Sequence, residues 1–195
     1  MLLIDREILE IANSLCQLQE KTGREHLHAI AADGTVYLNS GELDHVKPPS
    51  DLEARYAEAD AGIVYHHSHP DDRALSPSDL GLIAQPGVKT VWAHAPSGAS
   101  YGAQIQDGIT KDRYRAALDG LHGYLLLEIV QYGGVPLDEP SFEEFRDFAT
   151  MLVLEERGWI DCHLAWSDLT RRAIFNNASG FCQLLSYLSG VTLTA

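Results

Sequence analysis

Apolar residues Ile8, Leu9, Ile11, Ala12, Leu15 and Leu18 recur at helical spacing in "DREILEIANSLCQLQEKTGRE". Asp5 stands where an N-cap belongs, and "KTG" supplies a stop signal. The period then changes to two. "EHLHAIAADGTVYLNSG" alternates, with "DG" between its two runs, and predicts a β-hairpin. On its first strand Glu25, Leu27 and Ala29 share one face, while His26, His28 and Ile30 share the other. "SDLEARYAEAD" predicts a short helix, and "AGIVYHHSH" a strand rich in β-branched and aromatic residues. In "SPSDLGLIAQPG" Ser76 or Ser78 can cap a helix, Pro77 suits its first turn and "QPG" ends it. "VKTVWAHA" predicts a further strand, and "APSGASYG" a turn leading into "AQIQDG".

From about residue 111 the pattern becomes helical in "KDRYRAALDGLHGYLLLEIVQYG", "SFEEFRDFATMLVLEERG" and "SDLTRRAIFNNASGFCQLLSYLSG". Phe142, Phe145 and Phe148 fit the core of a helix pair, "DCH" at 161–163 fits a helix junction, and "FNNASGF" fits a break between helices. The expected fold class is therefore α+β or α/β, a mixed sheet flanked by helices over residues 1–110. A mainly helical extension over residues 111–195 packs on it and offers a surface for homo-oligomers.

Composition narrows the function classes. Hydrophobic content of 45% and charged content of 22% are ordinary for a globular chain. A formal charge of −14 argues against nucleic acid and anionic lipid as partners. Cys16, Cys162 and Cys182 are odd in number and widely spaced, without a CxxC pair, and are expected as reduced thiols of a cytoplasmic protein. The N-terminus lacks the pattern of a signal peptide, and runs such as "YLLLEIV" are too short to span a bilayer.

The candidate chemistry lies in "HHSHPDDRALSPSD". His67 and His69 are two apart at a strand end, so both imidazoles point to one face. Asp79 follows ten residues after His69, in the first turn of the next helix, and a loop turning back can bring its carboxylate to the same point. Two His and one Asp leave a fourth position for water, the pattern of a catalytic rather than a structural zinc, which lowers the pKa of that water toward neutrality. Glu25 on the neighbouring strand is placed to act as general acid and base, with Glu20 and Glu42 as rivals. Ser76 can donate to a developing oxyanion, or can serve as a plain N-cap; Asp79 can likewise simply complement the helix dipole. His66 is expected on the opposite face, His94 as a strand histidine satisfied locally, and Asp71 and Asp72 as solvated loop residues.

Glu25, the segment His67-Ser68-His69-Pro70 and then Ser76-Pro77-Ser78-Asp79 resemble the signature of the JAMM (MPN-plus) zinc metallopeptidases: a Glu, a distant HxHP and a following S-x-x-D. The resemblance covers about residues 5–110. Six residues separate His69 from Ser76, one fewer than the family spacing. It implies a JAMM/MPN-like (cytidine-deaminase-like) fold, one Zn2+ on His67, His69 and Asp79, Glu25 as the acid and base, and Ser76 as oxyanion stabiliser. It further implies hydrolysis of an amide, with a protein or peptide substrate such as a ubiquitin-like conjugate. The rival expectations are a non-catalytic interaction module of the same fold and a metal hydrolase acting on a small molecule. An amidohydrolase-like barrel also uses HxH, but needs a longer domain and ligands on later strands that are not found here.

Overall fold

The computed structural model describes residue 2, residues 5–128 and residues 141–165, and within these ranges it is an α+β fold. Five helices and six strands follow in the order α1 (Arg6–Thr22), β1 (His26–Ile30), β2 (Val36–Ser40), α2 (Ser50–Arg55), β3 (Ile63–Ser68), α3 (Pro77–Ile83), β4 (Val88–His94), β5 (Ser100–Ile105), α4 (Lys111–Glu128), α5 (Ser141–Glu156) and β6 (Ile160–Ala165). The strands form one mixed sheet in the order β2-β1-β3-β4-β5-β6. Only β3 and β4 are parallel, joined by the α3 crossover; the other neighbours are antiparallel.

Local signals account for the element ends. The Ile8 amide donates to Asp5 Oδ1 (2.9 Å) at the start of α1, and Gly23 closes it in the left-handed conformation, donating to the Gln19 carbonyl (2.7 Å). The β1–β2 connection turns at Asp33-Gly34, where Gly34 has φ 83° and the Thr35 amide donates to Asp33 Oδ1. The turn between β4 and β5 is shorter than the sequence pattern suggested. Ala95 and Ala99 close it, and Ser100–Gly102 already belong to the strand.

Strand alternation divides the sheet into two unlike faces. Leu27, Ala29, Tyr65, Val91, Ala93, Tyr101 and Ala103 point into the main core, which α3, α4 and α5 complete with Leu80, Ile83, Tyr114, Leu118, Phe148, Met151 and Leu154. The other face carries His28, His66, Trp92 and His94, and α1 lies over it through Ile8, Ile11 and Leu15. The sequence expectations for His66 and His94 hold. His66 Nδ1 stands 3.0 Å from His94 Nε2, whose ring in turn meets Ser100 Oγ at 2.8 Å. Burial holds both imidazoles neutral, pushing His66 down to about 3.

One expected element is different. Residues 161–163 are not a helix junction but part of β6, which pairs along β5 with Cys162 opposite Ala103. Ile160 and Cys162 are buried while Asp161 and His163 are half-buried, a period of two that the helical reading passed over. Gly158, with φ 67°, lets the chain leave α5 and enter this strand. The predicted helix at 167–190 with its "FNNASGF" break, and Cys182, lie outside the described residues. The side chains of Phe142 and Phe145 do too; Phe148 is buried in the core as expected. Cys16 and Cys162 are free thiols. No helix among the described residues is long and apolar enough to cross a membrane.

Trp92 lies flat between its strand neighbours because Gly102 is opposite it; a Cβ there would come within 2.5 Å of the indole ring. Trp92 is itself stacked on His66 and His94, so it has nowhere to move. Gly102→Ala is expected to destabilise the fold by about 1–3 kcal/mol through overpacking, read as a lower urea midpoint with unchanged slope.

Candidate metal centre

The site forms at the carboxyl end of β3, where the parallel crossover begins, the position at which open α/β units commonly bind ligands. His67 is on the strand and points to the core side. His69 follows just beyond the strand, its amide still donating to the His94 carbonyl (2.8 Å). The chain then makes the loop Pro70–Leu75 and enters α3. Ala74 and Leu75 are buried, and the Tyr101 hydroxyl donates to the Asp72 carbonyl (3.0 Å). The Ser97 hydroxyl donates to Asp72, and Arg73 Nε pairs with Asp71 Oδ2 (2.8 Å). Asp71, still 41% exposed, and Asp72 are loop residues as expected, and both also help to pin the loop.

The helix start then delivers Asp79. Ser76 and Asp79 form a capping box: the Asp79 amide donates to Ser76 Oγ (3.2 Å), and the Ser76 amide donates back to Asp79 Oδ2 (2.8 Å). The Ser76 hydroxyl donates to the same Oδ2 (2.7 Å). Asp79 Oδ1 lies 3.3 Å from His67 Nε2, its Oδ2 lies 3.7 Å from His69 Nε2, and the two Nε2 atoms are 2.9 Å apart. One ligand atom from each residue falls within 4.8 Å of the other two, so His67, His69 and Asp79 could together hold a metal ion.

The protonation states of His67 and Asp79 suit that role, whereas a cation at His69 has to displace a proton. His69 Nδ1 donates to the Arg73 carbonyl (3.0 Å), which fixes the proton on that nitrogen and turns the Nε2 lone pair inward. Burial pushes His67 down to about 4, against a smaller opposing pull from Asp79, so its ring is neutral. Burial opposes ionisation of Asp79, but His67, His69 and the Ser76 hydroxyl outweigh it and hold the carboxyl well below its usual range. For His69 burial is likewise outweighed, and Asp79 raises its affinity for a proton. Two nitrogen lone pairs 2.9 Å apart beside a carboxylate repel one another unless a proton or a cation lies between them. Neutral imidazoles and an ionised carboxylate are also the forms that ligate metals. The donor set therefore fits a divalent cation. His67 Nδ1, buried without a hydrogen-bond partner, is the one incompletely satisfied atom of the triad.

Glu25 reaches the same cleft. Leu27 pairs with His67, so the antiparallel register extended by two residues sets Glu25 across from His69. Its main chain is held by the Gly41 amide and the Glu42 carbonyl, and the His26 amide next to it donates to Ser68 Oγ (2.9 Å). Glu25 is buried, and burial pushes its carboxyl up to about 7, with Asp79 adding to the rise and His69 opposing it. The rivals fall away: Glu20 and Glu42 are exposed and do not line the cleft. Ser76 does line it, but its hydroxyl proton is directed to Asp79. Acting on an oxyanion would require that hydroxyl to turn from the carboxylate.

The cleft, of about 410 Å³, also takes in residues that the motif did not point to: Tyr65, Arg73, and Arg146 with Asp147 from α5. Tyr65 shares the core-side parity of His67 and was legible on that ground. Asp147 carried a fainter signal, a lone acidic residue on the stripe 147–151–154 whose other members, Met151 and Leu154, are buried core. Comparison of the chain with protein-family models, curated proteins and solved structures finds no match.

Two measurements follow from this geometry. A divalent ion bound at about one per chain should be lost in His67→Ala and Asp79→Ala, and Ser76→Ala should weaken binding roughly 10- to 100-fold by freeing Asp79 to rotate; metal analysis and competition with a chelator read both. Glu25 rises from 4.5 to about 7, and Asp147, chiefly by burial, rises from 3.8 to about 7. Between those limits the folded state keeps protons on these two groups that the unfolded state has released, so their contribution to stability falls as pH rises from about 4 to 7, while the buried neutral His66, His67 and His94 contribute in the opposite direction. In denaturation of chelator-treated protein, the stability of the wild type relative to Glu25→Gln combined with Asp147→Asn should fall between about pH 4 and 7; a constant difference would show that neither carboxyl is raised.

Proposed function

We propose that this protein is a zinc-dependent hydrolase that cleaves an amide bond, the activity that the resemblance of Glu25, His67-Ser68-His69-Pro70 and Ser76-Pro77-Ser78-Asp79 to the JAMM metallopeptidases implies. The observation that carries the reading is the convergence of His67, His69 and Asp79 in one cleft with a buried Glu25. Two nitrogens and one carboxylate oxygen make a donor set that suits zinc and leaves room in a tetrahedral shell.

Zinc on these three residues supplies Lewis acidity toward a water and toward the scissile carbonyl. Glu25 performs the proton transfers. As a carboxylate it accepts a proton from the attacking water, and as the acid it hands that proton to the departing amine. Its burial matters because a carboxyl whose affinity for protons is raised toward neutrality can take and release one at little cost. Ser76 holds Asp79 in its ligating orientation through the capping box, and its hydroxyl becomes available to an oxyanion only by leaving Asp79. The net reaction adds water across the amide, giving a carboxylate and an amine.

Hydrolysis by the zinc-loaded protein, tested on a peptide panel and on a lysine isopeptide conjugate, should fall roughly 10²- to 10⁴-fold in Glu25→Gln while zinc content stays the same. A protein that binds zinc yet cleaves no amide before or after that substitution would instead be an interaction module. One that never takes up zinc removes the hydrolase reading altogether.

A further inference from the structure

The wall of the cleft formed by α5 has a geometry that the amide chemistry leaves unexplained. Arg146 Nε and Nη2 both donate to Oδ1 of Asp147, at 2.8 and 2.7 Å. Adjacent residues on a helix do not face one another, so this pair forms only because the Arg146 side chain folds back along the helix to reach its neighbour. Asp147 is 2% exposed and Arg146 17% exposed. The buried Asp147 carboxyl, accepting through Oδ1 in either protonation state, thus fixes the plane of a guanidinium that stays open to the cleft.

A guanidinium has five N–H donors, and Asp147 takes one from Nε and one from Nη2. The Nη1 hydrogens and the second Nη2 hydrogen have no acceptor among the described residues. Arg73, the other cation on the cleft, is tied to the site itself, since its carbonyl receives His69 Nδ1. An immobilised, half-buried guanidinium with donors to spare is suited to a carboxylate, which it meets bidentately. A cleft of about 410 Å³ lies within the range of small-ligand sites. For an amide hydrolase, the carboxylate lying near the scissile bond is that of the residue about to be released.

Resting on the hydrolase reading above, we propose that Arg146 anchors the substrate carboxylate, and that the substrates are peptides or acylated amino acids whose scissile amide is followed by a free α-carboxylate. Water adds across that amide: the C–N bond breaks, a C–O bond forms, and the proton relayed by Glu25 leaves on the amine of a free amino acid. Asp147 is a positioning residue that holds the guanidinium plane.

The test compares N-acetylglycylglycine with its C-terminal amide, which lacks the charge and is otherwise nearly the same shape. NMR titration of the full chain, with and without chelator, should show the free acid binding roughly ten- to a hundredfold tighter than the amide. Arg146→Gln should erase that preference. So should Arg146→Gln with Asp147→Asn, which removes both partners and leaves no unpaired buried carboxylate. Equal binding of acid and amide by the wild type, or a preference that survives the double substitution, overturns the anchor. Zinc-loaded protein that hydrolyses acid and amide at equal rates keeps the hydrolase reading and also overturns the anchor. An Arg146-dependent binding preference without any amide hydrolysis keeps the anchor and removes the hydrolase reading.

Discussion

The Asp79 carboxylate is held from both sides, and the geometry of the site depends on that double attachment. On one side it completes the N-terminus of α3, accepting from the amide and the hydroxyl of Ser76; on the other it faces the two imidazoles of the β3 end. A capping box satisfies helix amides that would otherwise lack partners, so the interaction that starts the helix also orients this carboxylate toward the imidazoles. The loop Pro70–Leu75 then has no freedom to choose where Asp79 goes. Its buried Ala74 and Leu75 anchor its end, and the contact from His69 to the Arg73 carbonyl ties its middle back to the strand.

The same parity rule that places His67 in the cleft places His66 away from it. Adjacent residues of β3 carry imidazoles to opposite faces, and the two faces treat them differently. His66 is enclosed by Trp92, His94 and His28, where no carboxylate offsets its burial, and it remains neutral. His69 is buried too, but beside Asp79, and its affinity for a proton rises. Burial pushes His66 and His67 down alike, and what separates them is that only His67 stands beside a carboxylate, 3.3 Å from Asp79 Oδ1.

This contrast explains what the sequence made legible. Alternation assigned Glu25, Leu27 and Ala29 to one face and His66 to the other, because strand geometry allows no alternative once one face is buried. The capping signal at Ser76 and Asp79 was local and survived folding intact. The reading of residues 161–163 as a helix junction failed because six residues of alternation after a long helical run are a weak signal, and pairing with β5 decides the outcome. Arg146 was out of reach, and Asp147 only faintly legible, for a different reason. They sit 67 and 68 residues beyond Asp79, on a helix whose pattern reads as core, and only the packing of α5 brings them to the cleft.

The cleft also resolves an apparent conflict with the overall charge. At −14 the chain repels anions at long range, yet the cleft wall carries two arginines as well as Glu25, Asp79 and Asp147. Long-range repulsion is screened within about a Debye length of roughly 8 Å at physiological salt, whereas contacts inside a half-buried cleft are screened far less. Local pairing therefore governs what is held there. With no cation present, the two Nε2 atoms 2.9 Å apart are reconciled by a proton between them, and the ionised Asp79 beside them holds it. A cation that takes the place of that proton and binds the folded chain alone would add stability by mass action, about 4 kcal/mol when its free concentration is a thousand times Kd. The loop contacts, the capping box and the paired imidazoles thus converge on one carboxylate, so that proton and cation would compete for the same point in the fold.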